Sequence, residues 1–113
     1  MDNRVNAWLE DIIKSIDEIF EFLPKKRDFF EYQKDLKTKK VVERNIEIIG
    51  EAINRILKHK SSDFQIKNAQ KIIGTRNRIA QEHDSISDEV IWTIIIRELP
   101  ELRKEIQSIM GKH

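Results

Sequence analysis

Apolar residues recur every three or four positions along most of this 113-residue chain, and only three glycines and two prolines interrupt the pattern. With about 3.6 residues per turn, that spacing lines one face of an α-helix. Val5, Trp8, Leu9, Ile12, Ile13, Ile16, Ile19, Phe20 and Leu23 form the first stripe. Pro24 closes it, because the residue before a proline is pushed out of the helical region. Lys25 to Leu36 reads as a connection with one short helical turn. The second stripe is Val42, Ile46, Ile49, Ile53 and Ile56, widened by Val41, Ile48, Ala52 and Leu57, and predicts a helix over Thr38 to His59. Gly50 lies inside it. A glycine there costs about 1 kcal/mol relative to alanine, so it points to the close approach of another helix.

Ser61-Ser62-Asp63 supplies capping chemistry for a third helix reaching Ala80, with Phe64, Ile66, Ala69, Ile72, Ile73 and Ile79 as its apolar positions. Ser87 is placed to cap the last helix, whose stripe is Ile91, Ile95, Leu99, Leu102, Ile106 and Ile109. Pro100 falls within that stripe and should kink or restart the helix. The expected helices therefore run over 4–23, 38–59, 63–81 and 88–110. Four long helices with short connections imply an all-α, antiparallel, up-and-down four-helix bundle with a kinked last helix. One domain should span residues 1–113.

The charge excludes some functions. Twenty-one basic and 20 acidic residues leave a net charge of +1, so bulk charge does not mark a protein that coats nucleic acid. The absence of cysteine excludes disulfides and thiolate metal sites and fits a reducing cytoplasm. Charged residues throughout the first twenty positions argue against a signal peptide, and no apolar run approaches the roughly 20 residues of a membrane span. A cytoplasmic location is expected.

Chemistry concentrates in Gly74-Thr75-Arg76-Asn77-Arg78-Ile79-Ala80-Gln81-Glu82-His83-Asp84. On a continuing helix Arg76 and His83, seven residues apart, return to nearly the same face. Asn77 and Gln81 share the adjacent one. An arginine and an imidazole on one stripe suit a phosphodiester. The guanidinium grips phosphate as a fork, and histidine moves protons near neutral pH. Glu82 and Asp84 would favour the protonated imidazole if they face it. The plain alternative is a solvated helix end with surface ion pairs. A lone histidine does not make a metal site, so neither metal nor cofactor is expected. His59 and His113 lie at a helix end and at the terminus. Lys34, Lys37, Lys39 and Lys40 form a charge run that either contacts RNA or is simply solvated.

Three stretches carry a resemblance: KTKKVVERNIEIIGEA from Lys37 to Ala52, IIGTRNRI from Ile72 to Ile79, and SISDEVIWTIIIRELPELRKEI from Ser85 to Ile106. Together they resemble the HepT-like family of the HEPN superfamily, helical toxins paired with minimal nucleotidyltransferase antitoxins. The family motif is an arginine, a polar residue that is often Asn, then a histidine, with a tyrosine two positions beyond it. Arg76 and Asn77 match the opening. Gln81 and His83 stand where the histidine and the tyrosine are expected.

The resemblance implies a homodimer in which two motif-bearing helices form a shared cleft, and a metal-independent endoribonuclease. In that reading Arg76, His83 and Asn77 are catalytic, and Arg78 and Gln81 contact RNA or nucleotide. It also implies a nucleotidyltransferase antitoxin as partner. The family tyrosine that accepts a nucleotide from that partner is missing here. The alternative is a catalytically silent HEPN dimer that serves as a nucleotide-, RNA- or partner-binding module. A third reading is a helical interaction protein without nucleotide chemistry.

Overall fold

The computed structural model describes residues 3–59, 65–81 and 87–111. Six α-helices and one π-helical turn account for nearly all of them: α1 Asn3–Phe22, α2 Phe29–Lys34, α3 Leu36–Lys58, α4 Ala69–Gln81, α5 Asp88–Thr93, the π turn Ile94–Glu98, and α6 Leu99–Gly111. The short α2 is the helical turn expected between the first two long helices. α5, the π turn and α6 follow without a break as one rod. The protein is an all-helical bundle of the expected kind.

α3 is the central helix, packed on α1 on one side and on α4 on the other, while α6 closes against α1. Its stripe residues Val42, Ile46, Ile49, Ile53 and Ile56 are fully buried. They meet Leu9, Ile12, Ile16 and Ile19 of α1, Ile72 and Ile79 of α4, and Ile95, Leu99 and Ile106 of the last rod in one apolar core. Each such side chain contributes about 1.5–3 kcal/mol on leaving water. Ile48 and Leu57, expected to widen the α3 stripe, instead reach solvent.

Ion pairs fix how the helices meet. Arg103 grips Asp17 of α1 with two hydrogen bonds of 2.7 and 3.1 Å, and the Asp17 carboxylate raises the pKa of the guanidinium. Lys71 of α4 reaches the buried Glu98 carboxylate at 2.7 Å, and Lys39 of α3 meets Asp88 of α5 at 3.0 Å.

Local chemistry sets the helix ends. Asp28 accepts from the amides of Phe30 and Glu31 and so caps α2. Asp35 accepts from the Thr38 amide and hydroxyl and caps α3. Ser87 caps α5 as expected, accepting from the amides of Glu89 and Val90.

α4 departs from the expected boundary, beginning at Ala69 rather than near Asp63. Asn68 sits in the left-handed region with φ 61°, which stops a helix from running through it. The Lys67 amide donates to the Glu105 carboxylate of α6 instead of to a helical carbonyl. Ser61, Ser62, Asp63 and Phe64 lie outside the described residues. The expected break at Pro100 is a wider turn just upstream: the Leu99 amide donates to the Ile94 carbonyl, five residues back. That turn makes room for the proline ring and its missing N–H.

Candidate functional site

The site begins where α4 crosses α3. A Cβ built on Gly50 would lie 2.4 Å from Cβ and 2.9 Å from Cγ of Arg76, and 3.4 Å from the Ile72 carbonyl oxygen. The close approach suggested by Gly50 is therefore real, and the residue that uses it is Arg76. The stem of this arginine lies directly on the α3 backbone. Its own stem and the opposing helix leave it little freedom to swing.

The guanidinium is then held from two sides. Its Nη2 pairs with Oε2 of Glu51 at 3.0 Å, and its Nη1 donates to Oδ1 of Asn77 at 2.8 Å. The second Glu51 oxygen takes Nε of Arg55 at 3.0 Å, so one carboxylate steadies two arginines. Arg76 Nε is buried and has no acceptor among the described residues. A guanidinium carries five N–H groups. Among the described residues one N–H on each Nη is engaged and the Nε–H is enclosed, which leaves one N–H on each Nη for a further acceptor. Those two are the prongs with which an arginine binds a phosphate. The Arg76 side chain is about one third exposed, enough for a ligand to reach it.

Asn77 is half-buried on the same turn, while Arg78 and Gln81 are exposed on the last turn of α4. Arg76 and Asn77 are thus brought together, whereas Arg78 and Gln81 stand apart from them towards the helix end. His83, Glu82 and Asp84 lie outside the described residues. Beside Glu51 a groove of about 340 Å³ is walled by Trp8, Ile48, Ala52, Arg44 and Arg55. The Trp8 ring meets His59 edge-on at 5.7 Å.

Glu51 is the residue that the sequence reading missed. Its signal was its place beside Gly50, the glycine that marked the helix crossing. Tyr32, the chain's single tyrosine, is buried against Trp92, and its hydroxyl has no partner among the described residues. Burial, then the carboxylates of Asp88 and Glu43, push its pKa far above the usual phenol range. It lies at the α2 corner and does not replace the tyrosine missing from the motif.

Comparison with known proteins decides the family. The pattern described as ribonuclease HepT-like matches residues 12–109, which includes α3, α4 and most of the last rod. The chain belongs to the HepT-like family. Among the proteins it resembles is one of Methanocaldococcus jannaschii named as a proposed RNase, 31% identical over 94% of this chain and 87% of its own length. A second, from Caldanaerobacter subterraneus subsp. tengcongensis and named in the same way, is 29% identical over 93% of each chain. Another proposed RNase of M. jannaschii is 27% identical over 94% of this chain and 90% of its own. No solved structure matches the chain. None of the described helices is long and apolar enough to cross a membrane.

Proposed function

We infer that this HepT-like chain is the toxin of a toxin–antitoxin pair and a metal-independent endoribonuclease that works as a homodimer. The observation that carries the reading is the Arg76 guanidinium, braced by Glu51 and Asn77 with two N–H groups left for a phosphate. In the reaction an RNA 2′-oxygen attacks the adjacent phosphorus as its proton passes to a base. The P–O5′ bond breaks, and the departing 5′-oxygen takes up a proton. The products are a 2′,3′-cyclic phosphate and a 5′-hydroxyl. His83 carries protons, and Arg76 stabilises the charge that grows on the phosphoryl oxygens. A second copy brings a second Arg76 and His83 to the cleft. The groove beside Glu51, where Trp8 and Ile48 lie among the charged Asp11, Arg44, Glu47 and Arg55, is a surface such a partner could cover.

A second reading is favoured by Gln81, since an amide cannot act as a base. Here the dimer binds a nucleotidyltransferase partner without cutting RNA.

Cleavage assays on purified protein separate the two. For the enzyme, Arg76→Ala and His83→Ala should each lower cleavage about 10²–10⁴-fold with helix content and dimer mass unchanged. Arg76→Lys should fail as well, because an ammonium lacks the two-pronged grip. If wild type, Gln81→His and the double variant Gln81→His with His83→Tyr are all inert on RNA, the enzyme is excluded and the binding module stands. In either reading the partner finds no tyrosine acceptor in the motif. Mass spectrometry after incubation with ATP and a nucleotidyltransferase should show no adduct on residues 76–84, and an adduct there would overturn that expectation.

A further inference from the structure

Residues Lys25 to Lys40 hold seven basic and three acidic residues, a surplus of +4 in a chain whose total is +1. The rest of the protein is therefore net acidic, and its positive charge is collected at one end of the bundle. The acids of this segment are engaged locally. Asp28 and Asp35 cap α2 and α3, and Glu31 faces Lys34 at 4.0 Å. Besides Lys34, which is loosely paired with Glu31, two more of the cations are engaged. Arg27 donates to the carbonyls of Leu23 and Pro24 at the end of α1 and lies over the Phe20 ring, and Lys39 pairs with Asp88. Lys25, Lys26, Lys34, Lys37 and Lys40 all extend into solvent.

Four aromatic rings run through this basic patch from the core to the surface. Tyr32 packs on Trp92 at 5.2 Å, Trp92 on Phe29 at 6.0 Å, and Phe29 on Phe30 at 5.7 Å. Tyr32 is 3% exposed, Trp92 and Phe29 are half-buried, and Phe30 is 69% exposed. A cleft of about 270 Å³ opens beside the rings, with Tyr32, Trp92, Lys26 and Lys34 among its walls. α3 starts at this patch and meets Arg76 at Gly50, fourteen residues later, which is ~21 Å along the helix. α4 runs back from Arg76 towards the same end, carrying the exposed Arg78 and Gln81.

Flat rings among exposed cations match one class of ligand. Unpaired bases stack on aromatic faces while lysines neutralise the phosphates between them. The core of a protein–protein interface, by contrast, is depleted of lysine. We propose that the Phe30–Phe29–Trp92 rings, with Lys26 and Lys34, bind single-stranded RNA and lead the strand towards Arg76. The proposal deepens the ribonuclease reading and rests on it.

The test uses the full chain and a short fluorescent RNA carrying 2′-O-methyl groups, which cannot be cut, followed by anisotropy across a salt series. Phe30→Ala should weaken binding about tenfold and leave the salt slope unchanged, as loss of one stacked base requires. The double variant Lys26→Gln with Lys34→Gln should flatten the slope of log K against log salt by about 1.4, roughly 0.7 for each lost phosphate contact. A duplex of the same sequence should show no dependence on Phe30. All three residues are exposed, and circular dichroism should show the helices intact. The proposal is overturned if both variants bind like wild type, or if wild type does not bind the RNA and a protein partner needs Phe30 instead.

Cleavage of unmodified RNA is scored separately. Cleavage that continues with binding insensitive to Phe30 and the lysines removes the surface and spares the nuclease. Binding that depends on them in a protein that never cuts supports the surface and removes the nuclease.

Discussion

Arg76 and Phe30 occupy opposite surroundings within one small bundle. Arg76 lies in a helix crossing so close that a single added methyl group does not fit. Phe30 rises from a six-residue helix and gives more than two thirds of its surface to solvent. One position keeps an angle, which the proposed reaction would use, since a guanidinium that is to bind a phosphate in transit must already point at it. The other is built to be reached, and has few neighbours to keep it in place. Substitutions at the crossing should therefore be costly and those at the corner cheap in stability, whatever either does to RNA.

The sharpest way to break this contrast is Gly50→Val. Its branched side chain must push α4 away from α3, and overpacking of this kind typically costs about 1–3 kcal/mol or more. The urea midpoint should fall strongly, and cleavage should fall with it as Arg76 moves. Gly50→Ala is the milder version. About 1 kcal/mol of helix propensity offsets part of the clash, so a net loss of about 1–2 kcal/mol is expected. A midpoint equal to or above wild type would mean that the crossing is not tight.

Gly74 supplies the control. A Cβ there meets nothing within 4 Å, so Gly74→Ala should stabilise by up to about 1 kcal/mol, seen as a higher melting temperature. A loss of stability would show that α4 needs the glycine for something other than space. Glu51→Gln keeps the shape but removes the charge that braces Arg76. It should change the unfolding midpoint little while reducing kcat for RNA more than it raises KM, and an unchanged kcat would dismiss Glu51 as a positioning residue.

The smallest effect belongs to the corner. Hydrogen bonds from Thr38, led by its hydroxyl, hold the Asp35 carboxyl below its ordinary pKa. A depressed folded-state value stabilises the fold above the unfolded pKa, near 4 for an aspartate, and loses that contribution as pH falls through the folded one. Asp35→Asn should flatten stability against pH below about pH 4 and leave neutral pH nearly untouched. If acid unfolding of the variant superimposes on wild type, the cap is not what holds the start of α3.

Much of this architecture was legible in the residues themselves. The apolar stripes named nearly the whole core, because a 3.6-residue period is a local property that burial then exploits. Gly50 announced the crossing, since an unfavourable residue in mid-helix needs a reason outside the helix. Ser87 announced its cap through the stripe that follows it. Other features depend on partners far away in the chain. The start of α4 turns on Asn68 and on a Glu105 carboxylate 38 residues beyond Lys67. The pairing of Glu51 with Arg76 needs the register between two helices, and the ring series needs Trp92 laid over α2. Spacing along one segment carries none of these. Of the site, Arg76 and Asn77 were recognised from the motif, but what braces the guanidinium became visible only in the crossing.

The π turn at Ile94–Glu98 has a consequence for how the chain can vary. A hydrogen bond that reaches back five residues takes up one more residue than an α-turn, which shifts the helical phase by roughly 100°. It acts as a slip joint between α5, which carries Trp92 and Asp88 to the basic corner, and α6, whose Leu102, Arg103 and Ile106 are matched to α1. A one-residue deletion within it has a ready way to be absorbed: the turn tightens to α and both flanking faces keep their aim. The same deletion in α3 has no such slack, and would carry Gly50 out from under Arg76.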